Sequence, residues 1–593
     1  MKTKYIIALL ISVGIFNSCS GLLINKYSLP QESGVYKYPI VGTKYGSYLA
    51  ARVAHIRQDY NAAADYYIKS VQYGADDEDI LNRIYLLLTT QGRINEAAEY
   101  AKEVVKHSDN NFIHFVIMAD ETKNKNYDNA LESLDKIKDK TYQKAISPLF
   151  KSWLYAAKKE KDKALKQLES LRVDKSLLSF YHMHRGMIND YFGDVESAQA
   201  DYNAIVTKDD LEISFRSIQI ITNFYLRNSQ VEKAHELIKV FSKKNINTKT
   251  LSLLLKTLQD IDKGRTLPII DTPEKGLGEA IFDISVIFRY YQDDIAQLLT
   301  TLSLYLNPEN DVARVSVADL LEKNGRFSDA IKQYNQLSLS SPLFYMSHLK
   351  ISSILMENKK YNESLKILKN MLKTYPDDYN ILFNLGELSR ITGNNKDAIK
   401  YYNLALATLP EKENNDWTVY YALGMAYERN DQWNEAENTL KKALKISNRH
   451  PFILNYLGYV WLENNQNYNE ALYMIFEAYQ QNPENGHIMD SMGWALYRMG
   501  KYDDALNVLE RAAEYLPANA IVCDHLGDVY WQVGRKNEAK HQWKHALTLE
   551  EDAELLDKDM IQEKIKNGVK SPIAIIYNES LLIERLKLLK TTD

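Results

Sequence analysis

The spacing of apolar residues between positions 486 and 517 predicts two short helices joined by a tight turn. Apolar side chains recur every three or four residues over 487–499 and again over 503–515. This spacing keeps them on one face of a helix. Residues 500–502 separate the two segments, and Pro517 follows the second. Because proline lacks an N–H and its ring clashes with the preceding turn, it ends a helix. The stretch therefore predicts a helix–turn–helix unit.

The same unit recurs with a period of 34 residues. Prolines mark this period at Pro308, Pro342, Pro376 and Pro410, and again at Pro483 and Pro517. A small residue recurs in the first segment of the regular units at Gly386, Gly424, Gly458, Gly493 and Gly527. An alanine recurs in the second segment at Ala398, Ala436, Ala471, Ala505 and Ala539. Small residues at these places let two helices approach closely.

This pattern resembles the tetratricopeptide repeat (TPR). The resemblance implies an all-α solenoid, in which helix–turn–helix units stack into a right-handed superhelix. We count about fourteen units. The first six are degenerate, since they lack the terminal proline.

The expected organisation has six parts. They are a signal peptide (1–18), a tether (19–45), a degenerate array (46–261), a break (262–278), a regular array (279–549) and C-terminal capping helices (550–593). The break contains Pro268, Pro273 and several glycines, so we expect no continuous helix there. It either divides two arrays or forms a loop over one face, and a tolerated insertion fits equally well. Near the C-terminus, leucine spacing over 579–590 predicts a helix that docks onto the array or onto a partner.

The N-terminus is typical of a secretory signal. Lys2 and Lys4 precede an apolar run over 6–16, which is too short to cross a membrane as a helix. Cys19 follows Ser18, and this resembles a bacterial lipoprotein signal, although Phe16 and Asn17 depart from the usual residues. The resemblance implies that Cys19 is lipidated and anchors the chain in the bacterial envelope, facing the periplasm. An ordinary cleaved signal and an uncleaved anchor are the alternatives.

The residue after Cys19 bears on which membrane would hold the anchor. Ser20 stands there, where aspartate signals inner-membrane retention in some bacteria. We therefore expect the outer membrane rather than the inner one.

Composition narrows the class of partner. Charged residues make up 25% of the chain, and the net charge is -5. Without a basic stripe, nucleic acid is not an expected partner. The two cysteines are Cys19 and Cys523. We expect Cys523 to be a small buried apolar residue, because it lies on a predicted helix beside Ile521 and Val522.

A more specific resemblance covers about residues 450–549. The runs LNYLGYVW, DSMGWALYRMGKYDDAL and DHLGDVYWQVGRKNEAKHQWKHAL resemble a family of proteobacterial TPR lipoproteins. Members of that family, or close relatives, bind periplasmic proteases and deliver substrates to them. The resemblance implies that this chain is an adaptor whose partners are envelope proteins, such as a protease or a cell-wall hydrolase.

In TPR superhelices the first helices line a concave groove. Carried onto this sequence, the groove positions predict partner-binding residues Tyr421, Asn455, Tyr459, Asp490, Trp494, Tyr497, Arg498, Asp524, Asp528 and Trp531. This mixture of aromatic and acidic side chains favours a polypeptide ligand with apolar and basic residues. Packing between repeats is the alternative role for Trp494 and Trp531. The first groove position carries no lysine, so a clamp for a C-terminal carboxylate is not expected.

No catalytic motif emerges. His541 and His545 are four residues apart on a predicted helix, a spacing that can ligate metal, but no HExxH accompanies them. Phosphate-binding loops and a nucleophile elbow are also missing from the sequence. We therefore predict a non-catalytic scaffold that needs no metal and no small-molecule cofactor. The alternatives are a pilotin-like factor for outer-membrane assembly or secretion, and an accessory protein that binds peptidoglycan or glycan directly.

Overall fold

The structure is a computed structural model that describes residues 42–75, 77–106, 110–206, 214–242, 267–409, 416–549, 556–570 and 575–589. These residues form 31 α-helices, which confirms the predicted all-α fold. The signal peptide, Cys19 and residues 19–41 of the tether lie outside the described residues. The chain divides into two compact units, one ending at Ile354 and the other beginning at Leu355.

The helices are short and follow one another in pairs. The first unit contains α1 (Lys44–Ile56), α2 (Tyr60–Gln72), α3 (Glu78–Thr90), α4 (Ile94–Val104), α5 (Asn111–Lys123), α6 (Tyr127–Asp135), α7 (Lys140–Ala145), α8 (Ser147–Ala157), α9 (Lys161–Leu168), α10 (Leu178–Tyr191), α11 (Val195–Val206), α12 (Phe215–Arg227), α13 (Val231–Ser242), α14 (Pro273–Phe288), α15 (Asp293–Leu306), α16 (Asp311–Lys323) and α17 (Phe327–Tyr334). Helix α18 (Phe344–Glu357) spans the division between the units.

The second unit continues the same alternation. It contains α19 (Tyr361–Thr374), α20 (Tyr379–Ile391), α21 (Asn395–Thr408), α22 (Trp417–Glu428), α23 (Trp433–Ile446), α24 (Pro451–Glu463), α25 (Tyr468–Gln481), α26 (Gly486–Arg498), α27 (Tyr502–Tyr515), α28 (Ala520–Gln532), α29 (Lys536–Ala546), α30 (Lys558–Asn567) and α31 (Glu579–Leu589). Among the described helices, α7, α30 and α31 stand outside the fourteen pairs that run from α1/α2 to α28/α29.

The turn within a pair has a recurring geometry. After α26, the N–H of Gly500 donates to the Tyr497 carbonyl at 3.0 Å, and the N–H of Lys501 donates to the Leu496 carbonyl at 2.9 Å. These two bonds make a Schellman motif, which needs a left-handed residue just past the helix. Gly500 supplies it with a φ of 76°. In the turn after α5 the same place is taken by Lys125, with a φ of 62°.

The small residues lie where the two helices of a pair meet. A Cβ added to Gly458 would come within 2.9 Å of the backbone oxygen of Ala471, and one added to Gly493 would come within 2.5 Å of Leu509 Cγ. Ala471 and Ala505, on the facing helices, are fully buried. Close packing of this kind leaves no room for an extra methyl group without a shift of the neighbour.

We call the surface formed by the first helices of the pairs the inner face. In the first unit, two helices of the same chain, α14 and α15, cover this surface. Helix α14 packs against α8 and α10, and α15 packs against α3 and α5. Gly276 lies directly on the ring of Trp153, since a Cβ there would come within 2.1 Å of Trp153 Cζ3. The α14–α15 hairpin is thus a core element of the first unit.

Polar contacts also fasten the hairpin to the inner face of the first unit. Arg216 of α12 donates from Nη2 to Glu279 Oε1 of α14 at 2.6 Å. Both side chains are buried, and Asn307 and Asn310 also donate to the same carboxylate. Each buried charge therefore has a partner and added hydrogen bonds, as burial requires.

A second set of polar contacts, between three side chains, crosses the same inner face. Trp153 Nε1 donates to His184 Nδ1 at 2.9 Å. The other ring nitrogen of His184, Nε2, lies 3.0 Å from Asp283 Oδ2 of α14. The indole, the imidazole and the carboxylate therefore join α8, α10 and α14.

Within the expected break at 262–278, the structure describes residues 267–278. Pro273 is the first residue of α14 and Thr272 caps it, accepting a hydrogen bond from the Lys275 N–H. Proline is tolerated there because the first helical N–H has no partner within the helix. The division between the units lies at Ile354, well beyond this segment. Its described part, 267–278, leads the chain into the hairpin on the inner face.

Candidate functional site

The inner face of the second unit carries the predicted partner-binding residues. Helices α24, α26 and α28 bring aromatic rings from three successive pairs together. The ring of Trp494 stacks on that of His525, with centroids 4.1 Å apart and planes at 15°. Its other stacking partner is Tyr497, at 4.9 Å and 19°. The ring of Tyr459 lies 6.5 Å from that of His525. These rings form one aromatic layer across the pairs.

The carboxylate of Asp490 contacts the His525 ring of this layer. His525 Nδ1 lies 2.9 Å from Asp490 Oδ1 and 3.1 Å from Oδ2. Burial alone would lower the pKa of His525, but the charge and hydrogen bond of Asp490 outweigh it and raise that pKa. Asp490 is 7% exposed, so it orients the imidazole rather than meeting a ligand.

His525 is a residue that the groove positions missed. It precedes Gly527 by two residues, a place outside the pattern used to select them. A search for complementary pairs could have found it, because Asp490 and His525 are 35 residues apart, about one repeat length.

A lysine from the C-terminal segment lies between the remaining two acids. Lys564 of α30 donates from Nζ to Asp524 Oδ1 at 2.9 Å and to Asp528 Oδ2 at 2.9 Å. Asp528 also accepts a hydrogen bond from Trp543 Nε1 at 2.9 Å. Burial raises the pKa of Asp528, and the ammonium group of Lys564 opposes that rise. The acidic end of the inner face is therefore neutralised by the chain itself.

The same segment covers Trp531. A Cβ added to Gly568 would come within 1.9 Å of Trp531 Cζ2, so backbone lies flat against the indole ring. Gly568 has a φ of 76°, which glycine adopts most readily. The ammonium group of Lys536 lies 5.2 Å from the centroid of the same ring. Trp531 is thus enclosed by its own chain.

Further along, the C-terminal segment bonds to the end of α26. The N–H of Ile575 donates to the Arg498 carbonyl at 3.1 Å. The side chain of Arg498 turns the other way and donates to Glu463 Oε1 at 3.1 Å and to Asn465 Oδ1 at 2.8 Å. Arg498 therefore joins two pairs and anchors the segment through its backbone.

Helix α31 then docks on the array rather than remaining free. Arg585 donates to Glu470 Oε2 of α25 at 2.6 Å, and its guanidinium carbon lies 3.7 Å from the Tyr473 ring centroid. Of the two roles expected for residues 579–590, the structure shows the docking onto the array.

The upstream part of the inner face is more open. The ring of Tyr421 meets that of Tyr456 edge-on, with centroids 5.8 Å apart. Asn455 is partly exposed, yet its Oδ1 is buried and accepts no hydrogen bond from the described residues. Nearby, Trp417 stacks on His450 at 4.4 Å. This region offers aromatic surface and an unused acceptor.

The predicted residues therefore fall into two groups. Asp490, Tyr497 and Asp528 are buried. The half-exposed residues are Tyr421, Asn455, Tyr459, Trp494, Arg498, Asp524 and Trp531. The ring of Trp494 stacks on one ring of its own helix and one of α28, and its Nε1 donates to Glu463 Oε1 at 2.7 Å.

Little in the second unit favours covalent chemistry. Cys523 is buried, and burial raises the pKa of its thiol to about 11, so it stays protonated at neutral pH. The described residues contain no group of three or more His, Cys, Asp or Glu side chains placed to hold a metal ion. None of the helices in the described ranges has both the length and the apolarity needed to cross a membrane.

Comparison with known families identifies the repeat. Two segments match models of the tetratricopeptide repeat, residues 377–449 and residues 491–543. The paired helices of the structure and these matches confirm the predicted TPR solenoid.

Individual relatives are distant. A TPR repeat-containing protein of Pseudomonas aeruginosa is 26% identical over 193 residues, which cover 32% of this chain and 32% of that protein. The tetratricopeptide repeat-containing protein trd-1 of Caenorhabditis elegans is 25% identical over 160 residues, or 27% of this chain and 20% of that protein. The matches thus span about a third and a fifth of these relatives.

Two solved structures align with much of this chain at low sequence identity. The APC/C hetero-tetramer Cut9–Hcn1 aligns over 89% of this chain and 96% of that chain, with 15% identity and a TM-score of 0.37. A tetratricopeptide repeat protein from Parabacteroides merdae aligns over 49% of this chain and 97% of that chain, with 17% identity and a TM-score of 0.32.

Proposed function

We propose that this TPR chain is a non-catalytic scaffold that binds polypeptide partners on the inner face of its second unit. TPR proteins are in general protein-interaction scaffolds. One observation carries the proposal for this chain: the inner face already holds a polypeptide, its own C-terminal segment. That segment is bound through an ion-paired lysine, a backbone hydrogen bond and a glycine against an indole.

The ligand chemistry follows from the exposed groups. Aromatic side chains offer large contact areas at low entropic cost, and they dominate binding energy at interfaces. Tyr421 and Trp417 supply such an area upstream, and Phe452 beside them is 41% exposed. A partner segment with apolar and basic residues fits this face.

A photo-crosslinking experiment tests the location. A photoreactive amino acid in place of Asn455 lies on the inner face, and one in place of Lys441 lies exposed on the second helix α23 as a control. In cells, we expect the probe at position 455 to crosslink a discrete protein that mass spectrometry can identify, and the probe at 441 to give none. Crosslinks from position 441 alone would place binding on the other face and refute the proposal.

The partners we propose are envelope proteins, with a periplasmic protease or a cell-wall hydrolase as the specific version. This rests on the lipoprotein-like N-terminus and on the resemblance over residues 450–549. A crosslinked protease or hydrolase supports the adaptor role, whereas a secretin or pilus component favours the pilotin-like alternative.

We also propose that the mature chain is anchored through acylated Cys19, faces the periplasm and resides in the outer membrane. Mass spectrometry of the mature N-terminus tests the anchor. A diacylglyceryl group on Cys19 is the expected result, and an intact Met1 or cleavage at another residue contradicts it. Fractionation of the two membranes then tests the location.

A further inference from the structure

We propose that the first part of the C-terminal segment, residues 556–570 with helix α30, is a removable occupant of the acidic end of the inner face, and that a lysine-bearing helix of a partner protein takes its place. The inference rests on the proposed function and names the chemistry of the ligand. It also assigns a regulatory role to a segment that would otherwise serve only to cover the last repeat.

The first argument is the specificity of the contact. The ammonium group of Lys564 lies within 3.0 Å of oxygens from both Asp524 and Asp528. Its side chain is only 10% exposed. Four residues later, Gly568 lies so close to Trp531 that no side chain fits there. A lysine near the end of a helix, followed four residues later by glycine, is thus the feature that this site recognises.

The second argument is the small number of buried side chains in α30 and α31. Within α30 only Ile561 and Lys564 are buried, whereas α26 buries ten of its thirteen residues. Among the side chains described in α31, only Leu582 is buried. Elements with few buried apolar contacts open at low free energy. We therefore expect α30 to open at a lower free energy than a helix within the array, such as α26.

The third argument is the loss of counter-charge at Asp524 and Asp528 when the segment leaves. Asp524 and Asp528 then lose the ammonium group that lies between them, and two neighbouring carboxylates are left without that counter-charge. Buried like charges without a partner are costly. A helix that presents lysine at the same place restores the pairing, so the emptied site favours a basic helix over a neutral or acidic one.

The test uses the full chain and a fluorescein-labelled peptide of residues 556–570 as the probe. Two variants are designed to evict the covalent segment: Lys564→Gln removes the ion pair, and Gly568→Ala adds a methyl group against Trp531. The control is Lys558→Gln, which removes an exposed lysine at the first position of α30. Fluorescence anisotropy measures peptide binding to each chain.

We expect both evicting variants to bind the peptide at least ten-fold more tightly than the wild-type chain, and the control to match the wild type. Adding Asp524→Asn to Lys564→Gln should reduce binding ten-fold or more, because the peptide lysine loses an acceptor. Hydrogen exchange of the α30 amides should accelerate in both evicting variants and stay unchanged in the control.

The inference is wrong if the segment is a permanent cap on the last pair of helices. If both evicting variants bind the peptide no better than the wild type, the segment does not compete for the site. Loss of folded signal from α28–α29 in these variants, measured by hydrogen exchange, would show that the segment is an obligatory part of the last pair. Either result overturns the inference. Crosslinking from position 455 is a separate measurement, so the proposed function can stand when this inference fails.

Discussion

Replacing Glu279 by alanine is expected to release the α14–α15 hairpin from the inner face of the first unit. The carboxylate is 2% exposed, and the Arg216 side chain that it pairs with is 8% exposed. Alanine leaves the guanidinium group buried without its counter-charge. Asn307 and Asn310 also lose their shared acceptor. The variant therefore removes one charge and leaves three donors short of a partner.

The free energy lost in Glu279→Ala can be compared with the loss from a second ion pair of the same hairpin. Breaking a buried ion pair by removing one partner costs about 3–5 kcal/mol. In the pair between Lys275 of α14 and Glu309, the Glu309 side chain is 73% exposed, and Lys275 keeps Asp271 as a second partner when Glu309 is replaced. An exposed pair contributes about 0–1 kcal/mol. Glu279→Ala should thus destabilise the hairpin several-fold more, in free energy, than the matched control Glu309→Ala.

Hydrogen exchange monitored by mass spectrometry is the suitable assay, because a chain with two units need not unfold in one step. A loss of about 3–5 kcal/mol accelerates opening by roughly two to three and a half orders of magnitude. That change should appear in peptides covering α14 and α15 for Glu279→Ala, and be tenfold or less for Glu309→Ala.

A double variant checks the cause of the effect. Arg216→Met combined with Glu279→Leu replaces both charges by apolar groups, and buried ion pairs are often replaceable in this way with little loss. We expect exchange in α14 to return most of the way to the wild-type rate. Equal acceleration in Glu279→Ala and Glu309→Ala, or no recovery in the double variant, would refute the reasoning.

Three further predictions concern contacts within and between the helix pairs. Gly458→Ala places a methyl group 2.9 Å from the backbone oxygen of Ala471, so it should lower the free energy of unfolding of the second unit by about 1–3 kcal/mol in denaturant titrations. Lys125→Gly should stabilise the first unit by up to about 1 kcal/mol, because glycine adopts the φ of 62° more easily, whereas Lys125→Ala should give no gain. Since Asp490 raises the pKa of His525, protonated His525 stabilises the fold below about pH 6.5, and this is lost as the pH rises through the folded-state pKa. Thermal melts from acidic to alkaline pH should show that loss, and Asp490→Asn should abolish it.

Features within a pair could be predicted because they are local. Gly493 and Ala505 are twelve residues apart and recur with the repeat, so spacing alone reveals that their helices meet. The left-handed turn after α26 is also apparent from Gly500. At Lys125 the same turn carries no glycine, and only the structure shows it.

The occupants of the inner faces could not be predicted, because they are nonlocal. Trp153 meets Gly276, and Asp524 meets Lys564, at separations unrelated to the repeat. The groove pattern selects positions on a helix face, but it cannot tell whether the chain itself returns to cover them. For this reason the groove pattern selects Asp528 and Trp531 without indicating that Lys564 and Gly568 of the same chain contact them.

The filled inner face of the first unit has a consequence for synthesis of the protein. A simple repeat array can fold one unit at a time as it emerges, because each unit contacts only its neighbours. Here Lys123 of α5 bonds to the Tyr305 carbonyl of α15, 182 residues later. At about 5–20 residues per second, that partner appears roughly 10–40 s afterwards. Until then, the apolar side chains of α3, α5, α8 and α10 that contact α14 and α15 lack this cover, so we expect this part of the unfolded chain to be prone to aggregation.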